Sequence, residues 1–73
     1  MTFKLFNALN EVFKEHKEVQ LRHYEPSVGL EDFGIANRYN ENTDIREIDL
    51  DMKQYPYASL YIIDGDSWEE LKY

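Results

Sequence analysis

Seventy-three residues make one small acidic domain, residues 1–73, with a net charge of −7 and no cysteine. A chain this short buries only about 60% of its unfolded surface, so little interior is left for an enclosed substrate pocket. The missing cysteines exclude disulfide bonds and thiolate metal sites, and the acidic excess opposes direct binding of DNA, RNA or anionic lipid through phosphate contacts.

Residues 2–16 read as an amphipathic helix. Thr2 is placed to cap the first turn. Leu5, Phe6, Leu9, Val12, Phe13 and His16 recur at steps of three and four on one face, with Lys4, Asn7, Glu11, Lys14 and Glu15 largely opposite. Residues 19–24 alternate: Val19, Leu21 and His23 against Gln20, Arg22 and Tyr24. That is a strand, ended by Pro26. Residues 27–32 form a connection in which Gly29 is free to take positive φ. Residues 33–39 read as a second strand, Phe33, Ile35, Asn37 and Tyr39 facing one way and Gly34, Ala36 and Arg38 the other. Asn40-Glu41-Asn42-Thr43 is turn chemistry, which suits a hairpin.

Residues 44–52 admit two readings. As a helix, Asp44 and Glu47 form a capping-box-like pair and Ile45, Ile48, Met52 and Tyr55 make a stripe, but Leu50 faces the opposite side. As a strand, Ile48, Leu50 and Met52 face in while Glu47, Asp49 and Asp51 face out. The strand accounts for Leu50 and is the favoured reading. Residues 57–63, apolar on both faces, read as a central strand with Pro56 just before it. Asp64-Gly65 is a turn signal. Ser67 with Glu70 three residues on matches a capping box, which implies a short C-terminal helical turn carrying Trp68 and Leu71. The expected fold is therefore α+β: an N-terminal amphipathic helix packed on a three- or four-stranded antiparallel sheet, with a short C-terminal helix.

At 42% hydrophobic and 15% aromatic, the composition is that of a folded chain. Asn7, Asn10 and Glu11 interrupt the N-terminal apolar residues, against a signal peptide. No apolar run approaches the ~20 residues of a membrane helix. The expectation is a cytoplasmic protein without a membrane partner.

Charge is unevenly divided. Residues 1–24 hold Lys4, Lys14, Lys17 and Arg22 against Glu11, Glu15 and Glu18, whereas residues 25–73 hold twelve acidic and four basic residues. All six tyrosines, counting Tyr24 at the border, sit with the acidic part. Such a surface suits a basic partner. On the strand reading, Glu47, Asp49 and Asp51 would lie about 6.6 Å apart, near every second phosphate of a DNA strand, which advances about 3.4 Å per nucleotide. Asp44, Asp64, Asp66, Glu69 and Glu70 would extend that field. The plainer reading is a solvated face whose charge discourages edge pairing. Tyr39 and Tyr55, near turns, are candidate interface anchors, tyrosine being favoured at binding hot spots; Tyr57 and Tyr61 read as sharing a strand face in sheet packing.

Nothing in the sequence specifies a reaction. Asp64-Gly65-Asp66 lacks the spacing of a calcium loop and reads as a plain turn. His16 and His23 lack a third metal ligand, and no nucleophile motif accompanies them. No cofactor, metal or catalytic residue is expected. The expected function is a small acidic inhibitor or modulator that docks on a basic, nucleic-acid-binding site of a partner protein, such as a nucleic-acid enzyme. In size and charge the chain resembles small phage-encoded anti-defence and host-takeover proteins, DNA mimics among them, which would place it in the host cytoplasm. That resemblance is one of character and no motif carries it. The alternative is an oligomerising structural or regulatory subunit whose acidity serves solubility.

Overall fold

A computed structural model describes residues 1–24 and 33–73. The element order is α1 (Phe3–Lys14), β1 (Glu18–Tyr24), β2 (Phe33–Tyr39), α2 (Ile45–Gln54), β3 (Ser59–Asp64) and β4 (Ser67–Glu70). The four strands form one antiparallel sheet in the order β2-β1-β3-β4. The fold is α+β, with the N-terminal helix packed on a four-stranded sheet and a second helix beside it. The expectations about Pro26, Gly29 and the connection at 27–32 lie outside the described residues.

α1 starts where a cap is available: Thr2 Oγ1 accepts the Leu5 amide at 3.2 Å. Its apolar stripe buries Leu5, Leu9, Val12 and Phe13. The helix stops at Lys14, two residues short of the sequence reading. His16 takes a left-handed conformation, φ 59°, and its amide donates to the Phe13 carbonyl at 3.0 Å, the usual way a helix turns its chain aside. His16 consequently leaves the apolar face; its ring is exposed, with Nδ1 2.8 Å from Glu41 Oε2.

The sheet buries one face. Val19 and Leu21 of β1, Tyr39 of β2, Leu60 of β3 and Leu71 beyond β4 share a core with the α1 stripe and Ile48 of α2. Leu9, Val19, Leu21 and Ile48 are fully enclosed, and burying such a side chain is worth about 1.5–3 kcal/mol. A bulge interrupts the β1–β2 register: Leu21 pairs with Asn37 but Arg22 with Ile35, so Ala36 is the extra residue. The bulge overturns simple alternation along 33–39. Ala36 packs on the core, as Tyr39 does, and Ile35 turns to the helix-free face.

Two segments differ from their expected form. Residues 45–54 are helix, not strand. The turn at 40–43 is present, with the Asn40 amide bonded to Thr43 Oγ1 at 3.0 Å and the Asn42 amide to Asn40 Oδ1 at 2.8 Å, but it leads into α2 instead of a hairpin. Asp44 is the N-cap, accepting the Arg46 amide at 3.0 Å. Ile48 is buried, Ile45 and Met52 pack half-buried beside it, and Leu50, the residue that favours a strand, simply stays 65% exposed.

Residues 67–70 are strand, not a helical turn. Gly65, φ 60°, supplies the positive angle that a two-residue hairpin turn needs at its first position, and Asp64 pairs with Ser67 across it. Ser67 Oγ donates to the Asp64 carbonyl at 2.9 Å and so closes a hairpin; it does not cap a helix. The Leu71 amide extends the pairing by donating to the Leu60 carbonyl at 2.8 Å. β3 is interior, as expected of the most apolar strand, but begins at Ser59. Tyr57 therefore lies before it, 91% exposed, and does not share a strand face with Tyr61.

Candidate interaction surface

The acidic residues of α2 do not form an outward row. Successive helix residues turn by about 100°, so Glu47 and Asp51 share a side and Asp49 faces away. Each has a different environment. Asp51 Oδ2 accepts from the Tyr39 hydroxyl at 2.7 Å and from Asn37 Nδ2 at 2.9 Å, which ties α2 to β2. Asp49 lies 3.1 Å from the Met1 amino group and 3.3 Å from Lys53 Nζ. The hydrogen bond from the amino group, helped by Lys53, holds the Asp49 carboxyl below its usual range. Asp44 is also held low, by the Arg46 side chain and then the Arg46 amide. Only Glu47 of this set is exposed with no cation at ion-pair distance among the described residues.

Tyr39 is not a surface anchor. It is 2% exposed. Burial, then the hydrogen bond to Asp51, pushes its phenol well above its ordinary 10.0, so the hydroxyl keeps its proton and donates. Tyr55 caps the C-terminal end of α2 and stacks on His23, centroids 5.5 Å apart at 15°. It stands before β3, at the opposite end of that strand from Asp64.

The remaining candidates cluster on the β3–β4 hairpin. Asp64 lies 3.6 Å from Lys17 Nζ, which Glu15 also contacts at 3.0 Å. Hydrogen bonding and attraction from Glu15, with Asp64 assisting, raise the Lys17 ammonium above its usual value. Asp66, Glu69 and Glu70 are exposed, and no described cation lies within ion-pair distance of them. α2 is bonded to β2 at one edge of the sheet and β4 is the other edge. The acidic residues named from the sequence thus fall into two groups at opposite edges.

The helix-free face of the sheet carries residues the sequence reading passed over. Antiparallel register places Glu18, Gln20 and Arg22 of β1, Tyr61 and Ile63 of β3, and Trp68 and Glu70 of β4 on this face. Gln20 is buried here; its Nε2 donates to Glu18 at 3.2 Å and its Oε1 accepts from Arg22 Nε at 2.9 Å. Arg22 lies over the Trp68 ring, 4.8 Å from its centroid, and Tyr61 meets Trp68 edge-on at 4.9 Å and 73°. Trp68 remains 47% exposed beside the hairpin carboxylates. The alternation of Gln20 and Arg22 was visible in the sequence; the missing signal was that residues 67–70 are a strand, which brings Trp68 to them.

Among the described residues no group of three or more His, Asp or Glu is arranged to hold a metal ion, and no helix is long and apolar enough to cross a membrane. Comparison with protein-family models, curated proteins and solved structures finds no match to the chain.

Proposed function

We propose that the chain is a small acidic protein-binding modulator that docks on a basic surface of a partner protein through its β3–β4 hairpin. One observation carries the reading: Asp66, Glu69 and Glu70 are exposed with no described cation at ion-pair distance, and they flank a half-exposed Trp68 braced by Arg22 and Tyr61. Tryptophan is a preferred hot-spot residue, and pre-positioning its ring lowers the entropy lost on docking. Carboxylates around it steer a basic partner and make association sensitive to salt.

The contact surface in this reading is the hairpin and not α2. Phosphate imitation by Glu47, Asp49 and Asp51 requires strand spacing, and a helix removes that spacing. The partner is therefore described by basic protein chemistry alone, and competition with nucleic acid becomes a measurement.

The test is capture of the partner from a lysate at low and high salt, followed by affinity measurement. Asp66→Asn, Glu69→Gln, Glu70→Gln together should weaken binding and flatten its salt dependence; Glu47→Gln should change little. Equal affinity of wild type and the triple variant at every salt concentration sinks the proposal. Binding unaffected by added DNA would place the docking site outside the partner's nucleic-acid channel.

A second reading, self-association, is favoured by the apolar group at the start of α1, where Phe3 is 77% exposed with Met1 and Phe6 beside it. A dimer built there would resist salt and dissociate on Phe3→Ser, which separates it from the first reading by sedimentation alone.

A further inference from the structure

β4 is the last strand of the sheet, and among the described residues no strand lies beyond it. All four of its residues are exposed. The phase of its ladder follows from the Leu71 amide, which donates to Leu60. In an antiparallel pair, residues that exchange hydrogen bonds alternate with residues that do not. Leu71 and Glu69 therefore address β3, and the N–H and C=O of Glu70 point to the free side of the strand. Side chains alternate as well: Glu70 and Trp68 lie on the helix-free face, Glu69 on the helix face.

We infer that this free side takes an extended basic segment of the partner as a fifth strand, antiparallel to β4 and hydrogen-bonded at Glu70. The inference rests on the docking function proposed above and specifies how that docking is done. Charge decides the occupant. A second copy adding through β4 would crowd both copies' Glu69 and Glu70 onto one seam, and like charges across strands are destabilising. The same carboxylates favour a strand bearing Lys or Arg. Read antiparallel, such a strand meets Glu70 first, then Glu69, then Trp68. The segment that fits runs basic, basic, apolar from N to C, its first and third side chains over Glu70 and Trp68 on the helix-free face and its second over Glu69. Backbone pairing supplies affinity in this mode, and alternate side chains supply selectivity.

The experiment uses the whole chain, isotopically labelled, titrated at low salt with a capped peptide Val-Thr-Lys-Arg-Leu-Thr-Val. The expected result is saturable binding, with the Glu70 amide shifted and slowed in hydrogen exchange. Methylating the peptide nitrogen of its lysine removes one hydrogen bond to Glu70 and should cost about 3- to 10-fold in affinity. Replacing Lys-Arg by Glu-Glu should abolish binding. No binding of the parent peptide at low salt overturns the inference. So does equal affinity of the methylated peptide with Glu70 exchange unchanged; because the triple carboxylate variant tests docking separately, side-chain docking would then survive without strand addition.

Discussion

α2 and the β3–β4 hairpin are equally acidic to the eye, yet their carboxylates do opposite things. In α2, Asp44 caps the helix, Asp49 holds the chain's amino group and Lys53, and Asp51 anchors Tyr39 and Asn37. In the hairpin, Asp66, Glu69 and Glu70 bond to no described side chain. Asp44, Asp49 and Asp51 are engaged within the fold and Glu47 is not, whereas on the hairpin Asp64 alone has a described partner, Lys17. Net charge alone does not distinguish these uses. Position relative to donors does.

The largest test strikes the layer on which both regions stand. Phe13→Ala should cost about 3–5 kcal/mol, since Phe13 is buried in the α1 stripe. A melting curve close to wild type would show that α1 does not brace the sheet.

Next comes the α2 side of the comparison. Tyr39→Phe removes a hydrogen bond to a charged, largely covered carboxylate and should cost about 1.5–3 kcal/mol. The sign of its pH dependence is fixed. Folding raises the phenol above its ordinary 10.0, so its contribution is complete below that pH and lost as pH rises beyond it. Denaturant titrations of wild type and Tyr39→Phe should differ by a constant amount at neutral pH and converge in alkali. A gap that widened above pH 10.0 would contradict the Tyr39–Asp51 bond.

On the hairpin side, Asp66→Asn, Glu69→Gln, Glu70→Gln together should leave stability within about 0.5 kcal/mol per site while changing partner binding. A large loss of stability would mean that these carboxylates are structural after all, and the contrast with α2 would vanish. The smallest expected effect is at Leu50. Leu50→Gln should move stability by no more than about 0.5 kcal/mol, because the side chain faces water in α2. A loss of several times that would restore an inward Leu50.

α1 was readable because a cap at Thr2 and a 3.6-residue stripe agree. The interior strand expected at 57–63 is readable because it is apolar on both faces, although it begins at Ser59. α2 is hidden in the sequence because Ile48 and Met52 fit both a helix stripe and a strand face, and an apolar Leu50 invites burial. An exposed leucine needs no such explanation. The end of the chain was misread because Ser67 and Glu70 satisfy a capping pattern, although Asp64-Gly65 had already set a hairpin with Ser67 as its first paired residue. Of the candidate surface, Asp66, Glu69 and Glu70 were named from charge alone. Trp68 as their companion, and the removal of Tyr39 and Asp51 into an internal bond, depend on long-range pairing that no local pattern contains.

The strand order has a kinetic consequence. β1 with β2 and β3 with β4 are each sequence neighbours, so the sheet consists of two hairpins stitched along a single seam, where Glu18–Arg22 of β1 meet Ser59–Ile63 of β3. Isolated hairpins are marginal in water, and the seam joins residues some forty positions apart, a closure that contributes slowness to folding. Neither hairpin is stable by itself, so both depend on the step that closes the seam. A nick at Tyr57, ahead of β3, would convert that step into the association of two pieces and make its rate depend on concentration.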